Sequence, residues 1–219
     1  MILVAWIACA PTVYRMPGPL AGLGAEPWIE AEEDVAPIVP TTAGIRVANA
    51  AGKFVGRSAL VVDGERYRWD CSGLVAAALA GGGIDVAGSG ADLWTLAHEA
   101  GWTHRRRTPA IGDVAFFDNT YDRNGNGKLD DALSHVGIVE SVEMDGTIVV
   151  VHLGSSGPAR LRMNLHHPST AKDDLGAVWN DPLRTATRRE PTGTRHLAGE
   201  LWVGFATFRV VDRSVADSR

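Results

Sequence analysis

One segment, Cys71 to Ala80, restricts the fold of this 219-residue chain more than any other. It consists almost entirely of small and aliphatic residues, which is typical of a helix that is buried on most of its sides. Asp70 can cap the start of this helix, and the glycines that begin at Gly81 can end it. The rest of the chain must therefore pack around this segment.

The hydrophobic pattern changes its period near residue 100. Before that point the spacing predicts two further helices, from Ala43 to about Phe54 and from Ala91 to Ala100, with Ile45 and Leu96 among the inward residues. After it, alternating or continuous apolar runs predict strands at 114–117, 135–142, 147–153, 159–163 and 201–210. Helices first and strands second predict an α+β fold, with N-terminal helices packed on an antiparallel β-sheet.

The pattern divides the chain into an arm, one folded domain and a tail. Residues 1–40 are interpreted as an export segment or a linker, residues 41–212 as the domain with an insertion near 164–199, and residues 213–219 as the tail. The apolar start is too short to span a bilayer but resembles the end of a secretory signal. We therefore expect an exported protein, periplasmic or extracellular, and Cys9 in a loose lipoprotein-like context makes a lipid anchor an alternative.

Composition excludes several classes of protein. The formal net charge is −5, from 21 basic and 26 acidic residues, so no basic surface predicts nucleic-acid binding. No apolar run is long enough for a transmembrane span. The two cysteines, Cys9 and Cys71, allow at most one internal disulfide, which excludes a disulfide-rich scaffold.

Cys71 is a candidate nucleophile because of its place in the predicted helix. A thiol in the first turn faces unpaired backbone N–H groups and the positive end of the helix dipole, and both favour the thiolate. The alternative is that Cys71 is a small core residue on an apolar helix. The local pattern by itself leaves both interpretations open.

Four segments, in order along the chain, distinguish the nucleophile from the core residue through a resemblance that covers about Thr41 to Met163. They are Asp70-Cys-Ser-Gly-Leu-Val75, Gly112-Asp-Val-Ala-Phe-Phe117, Ser134-His-Val-Gly-Ile-Val139 and Val151-His-Leu-Gly-Ser155. Together they resemble the NlpC-type family of bacterial cell-wall cysteine peptidases, which have a papain-like fold. The resemblance implies hydrolysis of amide bonds in peptidoglycan stem peptides.

Carried over residue by residue, the resemblance assigns a Cys-His-His mechanism. It implies Cys71 as the nucleophile, His135 as the general base and His152 as the residue that orients the base. Asp70 and Ser72 match positions that contact substrate in relatives, although Asp70 could equally be only a helix cap. The tyrosine that relatives carry about a dozen residues before the cysteine is missing here, which puts the substrate preference in doubt.

Three alternatives to this mechanism remain open. One is an enzyme of the same fold with another acyl substrate, such as an acyltransferase, and another is a non-catalytic copy that binds the wall. A third is a zinc site made by Cys71, His135 and His152.

The register between the two histidines is a test of the assignment. A two-residue hairpin turn at Asp145-Gly146 would place His135 opposite Ser156. His152 would then share the face of His135 but lie four residues along the strand, about 13 Å away. Contact between the imidazoles therefore requires a bulge or a longer hairpin loop.

A polar loop before His135 has the spacing of a calcium site. The ligands in order would be Asp122, Asn124, Asn126, the carbonyl of Lys128, and Asp130, with Asp131 as a substitute for the missing last acid. The alternative is an ordinary Asn/Gly turn. We expect no cofactor for the chemistry itself and a structural calcium ion in this loop.

Overall fold

The structure is a computed structural model that describes residues 39–210 except residues 188, 189 and 191. The predicted export segment, the lipid-anchor candidate Cys9 and the predicted tail 213–219 lie outside the described residues. Within the described part of the chain, no helix is long and apolar enough to cross a membrane.

The described residues form twelve helices and strands. In chain order they are α1 (Thr42–Phe54), β1 (Val61–Val62), β2 (Glu65–Arg66), α2 (Cys71–Gly81), α3 (Gly90–Glu99), β3 (Thr103–His104), β4 (Val114–Phe117), β5 (His135–Val142), β6 (Thr147–Gly154), β7 (Gly157–Asn164), α4 (Ala198–Leu201) and β8 (Trp202–Ala206).

A six-stranded antiparallel sheet carries the helices, in the order β3-β8-β4-β5-β6-β7. The predicted α+β fold is confirmed, and the three long helices and four of the strands lie close to their predicted bounds. The predicted strand 201–210 is too long, because the turn of α4 ends at Leu201 and β8 ends at Ala206. The small hairpin of β1 and β2 was not predicted.

The helix α2 lies at the centre of the larger core. Eight of its eleven residues are buried, and it packs with α1, α3 and one face of the sheet. Two predicted inward residues, Ile45 and Leu96, are instead 45% and 41% exposed. Because the helical period is 3.6 residues, Val47 and Ala97 face the core in place of Ile45 and Leu96.

The opposite face of the sheet has its own apolar cluster, to which Leu165, Leu183 and the α4 residues Ala198 and Leu201 contribute. Asn180, only 1% exposed, holds this segment in place. Its side-chain oxygen accepts from the backbone N–H groups of Asn164 and Gly199, and its amide donates to the carbonyls of His167 and Thr170. Asn180 therefore ties the chain around it to the end of β7 and to α4.

Two glycines join α1 to the start of β4. A Cβ on Gly112 would lie 2.4 Å from the Cα of Gly44, a distance that no real side chain allows. Gly112 also has a φ of +90°, which favours glycine. This contact fixes the distance between α1 and the sheet.

We expect Gly112→Ala to destabilise the protein more than Gly101→Ala does. Gly101 also has a positive φ, of +68°, but open space lies where its Cβ would be, so its substitution measures backbone strain alone, about 1 kcal/mol. Gly112→Ala adds a backbone collision, which costs about 1–3 kcal/mol more. Chemical unfolding of both variants checks this, and equal losses would contradict the close packing described for Gly44 and Gly112.

Candidate active site

Cys71 is the first residue of α2, as the sequence predicts, and Asp70 is its N-cap. The Asp70 side chain accepts a 2.7 Å hydrogen bond from the backbone N–H of Gly73. Gly73 itself has no room for a side chain, because a Cβ there would lie 2.0 Å from the carbonyl oxygen of Arg68. The chain before the helix therefore lies tightly against its first turn and holds Cys71 in position.

Asp70 is part of a small polar network beside the thiol. The Ser72 hydroxyl donates to Asp70 Oδ1 over 3.0 Å, and Arg68 pairs with Asp70 Oδ2 at 3.2 Å. Arg68 also donates to the Ser72 hydroxyl over 3.0 Å. The cap interpretation of Asp70 is thus correct. Arg68, which sequence reasoning missed, is 68% exposed at its side chain and is the most accessible member of the network.

The two predicted histidines are in contact. His135 Nε2 and His152 Nδ1 lie 2.9 Å apart, and the rings are nearly perpendicular. His152 pairs across the strands with Gly137, so it is diagonal to His135 and two residues away along the strand. The expected separation of about 13 Å is wrong.

Two one-residue shifts account for the difference. The hairpin loop has three residues, because the backbone of Glu143 pairs with Thr147 and Gly146 takes a φ of +82°. A bulge between Val139 and Ser141 then shifts the register by one more residue. The sequence correctly predicted that His135 and His152 share one face of the sheet. The three-residue hairpin loop and the bulge depend on packing, which no local sequence signal indicates.

The Cys71 thiol lies beside the start of β5. The backbone N–H of Val136, the residue after His135, interacts with the thiol, as do the N–H groups of Ser72 and Cys71 itself. These donors favour the thiolate, but burial outweighs them and raises the pKa of Cys71, with the Asp70 charge adding to the rise. The prediction of a thiolate-favouring helix start is therefore right about the donors and wrong about the net direction.

Both histidines are held neutral by burial. Desolvation, with a smaller contribution from the neighbouring His152, lowers the pKa of His135 to about 3. Desolvation also lowers the pKa of His152, against an opposing effect of the Asp181 carboxylate. Among the described residues no hydrogen bond joins the thiol to an imidazole, so the resting site consists of a neutral thiol close to a neutral, mutually hydrogen-bonded histidine pair.

Trp69 lies at the rim of this site. A Cβ on Gly157 would be 3.7 Å from the Trp69 ring, and a Cβ on Gly154, its partner across the β6–β7 turn, would be 3.2 Å from the His152 ring. Directly paired residues share one face of a sheet, so Trp69 lies on the same face of the β6–β7 hairpin as His152. Trp69 is 47% exposed, and its position next to Asp70 was the signal that could have found it.

Tyr67 does not replace the tyrosine that relatives carry. It is packed against the larger core and lines a recess together with Ala80, Ile84 and Asp85, toward the C-terminal end of α2. Burial raises the pKa of its hydroxyl. The missing tyrosine therefore has no counterpart at Tyr67 in this site.

The structure has a cysteine at a helix start and two histidines in contact on adjacent strands, as the resemblance seen in the sequence implies. The CHAP domain family matches residues 62–153, which include all three of these side chains. This segment of the chain is therefore similar to CHAP domains. Searches of curated proteins and of solved structures found no match.

The CHAP assignment confirms the resemblance to NlpC-like cysteine peptidases. CHAP domains occur in papain-like cysteine peptidases and amidases of peptidoglycan, so the match indicates a hydrolase that acts on the cell wall. The zinc alternative is not supported. In the part of the chain that the structure describes, no group of three or more His, Cys, Asp or Glu side chains could hold a metal ion.

The polar loop between β4 and β5 gathers most of the predicted calcium ligands on the surface. Asp122 accepts from the backbone N–H groups of Asn126 and Gly127, and the amides of Asn124 and Asn126 donate to Asp130. Lys128 donates its N–H to the Asn126 side chain. This geometry also fits a simple Asn/Gly turn, so calcium binding stays a prediction.

Asp131 differs from the other predicted ligands, because it is buried in the neck of this loop. Its backbone exchanges hydrogen bonds with Asn119, one through the backbone N–H of Asn119 and one through its side chain, both 2.8 Å long. The neighbouring Ser134 hydroxyl lies 2.9 Å from that of Thr120. Since His135 follows Ser134 directly, the neck fixes the chain where it enters β5.

We expect the free energy of unfolding to fall as the pH decreases below about 6.5. The unfolded chain then binds a proton at His135, whereas the folded protein, with a pKa of about 3, does not. The contribution of His135 to the free energy of unfolding is therefore complete well above the unfolded pKa and falls toward the folded pKa, by about 1.6 kcal/mol between pH 6.5 and 5. Chemical unfolding at both pH values measures this loss.

The variant His135→Gln removes the titrating group and should make this loss smaller by about the same amount. His166→Gln, which replaces an exposed histidine, is the control. An unchanged dependence on pH in His135→Gln would show that His135 is not buried in its neutral form.

We also expect calcium to raise the melting temperature if the loop binds it. At a calcium concentration of ten times the Kd, binding adds about 1.4 kcal/mol to the free energy of unfolding. This raises the melting temperature by roughly 3–5 °C for a domain of this size. Asp122→Asn should abolish the shift, whereas Asp174→Asn, at an exposed acid outside the loop, should retain it. Equal melting curves with calcium chloride and with a chelator would contradict the prediction.

Proposed function

We propose that this protein is a cysteine hydrolase that cleaves amide bonds in peptidoglycan stem peptides, with Cys71, His135 and His152 as its catalytic group. The observation that carries the proposal is the 2.9 Å contact between the two histidines beside a thiol at a capped helix start. The CHAP match supports the substrate class. Action on the wall implies export to the periplasm or the cell exterior, as the sequence predicts.

The histidine contact favours one distribution of protons. His135 Nε2–H donates to His152 Nδ1, which leaves His135 Nδ1 without a proton and able to act as a base. His152 thereby fixes the tautomer and the orientation of His135. The low pKa of His135 keeps its imidazole unprotonated across the neutral range.

The reaction would then start from a neutral pair. His135 Nδ1 takes the proton from Cys71 as the sulfur attacks the amide carbonyl, and the same proton passes to the leaving amine when the carbon–nitrogen bond breaks. Water then attacks the thioester, which releases the acid and restores the thiol. The backbone N–H of Cys71 is a candidate donor to the oxyanion.

The polar network beside Cys71 supplies candidate substrate contacts. Asp70 already accepts bonds from Gly73, Ser72 and Arg68, so its main role in the free enzyme is to order the helix start. We assign the contact with charged substrate groups to this Arg68–Asp70–Ser72 network as a whole. Trp69 would border the same cleft.

Digestion of purified peptidoglycan tests the proposal, with the fragments identified by mass spectrometry. We expect new stem-peptide fragments from the wild type and none from Cys71→Ala or His135→Ala, a loss of at least about 10³ in rate. His166→Ala, at an exposed histidine, is the matched control and should keep full activity.

The role of His152 requires a finer comparison. His152→Ala should lose roughly 10² in rate, and His152→Asn should recover part of it because its amide oxygen can accept the proton of His135 Nε2. No fragments from a folded wild-type protein would contradict the proposal. The CHAP domain would then act on another acyl substrate or bind the wall without cleaving it.

A further inference from the structure

A second concave surface lies at the other end of α2, away from the candidate active site. This groove, of about 670 Å³, is lined by one side of α1, the turn after it, β1 and Gly81 at the end of α2. Ten helical rises of 1.5 Å separate Gly81 from Cys71, so the groove is about 15 Å from the thiol end of the helix. It is therefore separate from the hydrolytic chemistry. We call it the α1 groove.

The spacing of residues on α1 places cations along one wall of the α1 groove. Arg46, Asn49 and Lys53 follow each other at helical spacing, and Arg57 extends the row after the helix ends. The neighbouring side of α1 carries the buried residues of the core. The row is thus a continuous polar stripe, and its position is set by the burial of the apolar side of α1.

The cations in this row have no acidic partner. Among the described residues Arg46, Lys53 and Arg57 form no ion pair, whereas Arg160 and Arg184 each pair with a glutamate. The guanidinium of Arg46 donates to the carbonyl of Gly82, and that of Arg57 to the carbonyl of Lys53.

The groove therefore has a charge opposite to that of the whole chain. Its lining contains three cations and a single acid, Asp63, in a chain whose net charge is −5. Concave surfaces lined by one sign of charge attract ligands of the other sign.

The length of the row selects the kind of anion. Seven helical rises separate Arg46 from Lys53, about 10 Å, which is more than one phosphate or carboxylate can bridge. Guanidinium groups match phosphate oxygens in pairs. We propose that the α1 groove binds a linear polymer that carries phosphate groups in series. Such binding would hold the protein on an anionic surface while Cys71, at the other end of α2, stays accessible.

Binding of polyphosphate to the full chain, measured by calorimetry, tests this inference without any readout of hydrolysis. Lys53→Gln with Arg57→Gln should raise the Kd about tenfold, and Lys172→Gln with Arg209→Gln, which removes the same two charges elsewhere, should leave it nearly unchanged. Arg46 is not substituted because it contacts the end of α2. Melting curves establish that each variant is folded.

A gain of affinity is the sharpest expectation. Asp63→Asn removes the single acid of the groove lining and should lower the Kd severalfold, and its φ of +49° suits asparagine. Inorganic phosphate at equal total phosphate should not displace the polymer. Three outcomes would each overturn the assignment: wild-type affinity in the Lys53/Arg57 variant, displacement of the polymer by inorganic phosphate, or equally tight binding of polyglutamate. None of these outcomes bears on the hydrolase proposal.

Discussion

The burial of α2 is the constraint on which the rest of the structure depends. A helix without a polar side must be enclosed, and α1, α3 and the sheet enclose it. Its only polar end is the N-terminus, where Asp70 satisfies a backbone N–H and Cys71 lies at the edge of the core. The same burial that makes the helix stable therefore sets the position of the candidate nucleophile.

Burial also decides the electrostatics of the site. Burial reduces the contact of Cys71, His135 and His152 with water, so the pKa of each is shifted toward its neutral form. The thiol gains backbone donors from two elements, the start of α2 and the start of β5, and these partly offset its desolvation. In the proposed reaction, charge would therefore develop only when the substrate is attacked, because the thiol and the imidazoles rest in their neutral forms.

The two ends of α2 carry different physical chemistry. At the N-terminal end, buried neutral groups lie next to the small Arg68–Asp70–Ser72 network. At the C-terminal end, the α1 groove presents exposed cations without acidic partners. The helix itself separates the two ends, because it is about 16 Å long. Salt screens exposed charges over shorter distances than this, so the cations of the α1 groove act only weakly on the thiol end.

The sequence by itself determined the three long helices, four of the strands and their order. The apolar run of α2, the cap at Asp70 and the alternation in β5 and β6 are local properties, and they predicted the α+β fold and the shared face of His135 and His152. Exposed Ile45 shows the limit of this reasoning, because which side of a helix meets the core depends on its neighbours.

Only the tertiary structure decided the register and the charge states. The three-residue hairpin loop and the bulge before Ser141 bring His135 and His152 into contact, and each reflects packing across the sheet. The raised pKa of Cys71 likewise depends on how many atoms surround the thiol. Local sequence specifies backbone preferences, but contact distances and desolvation are sums over residues far apart in the chain, so they exist only once the chain has folded.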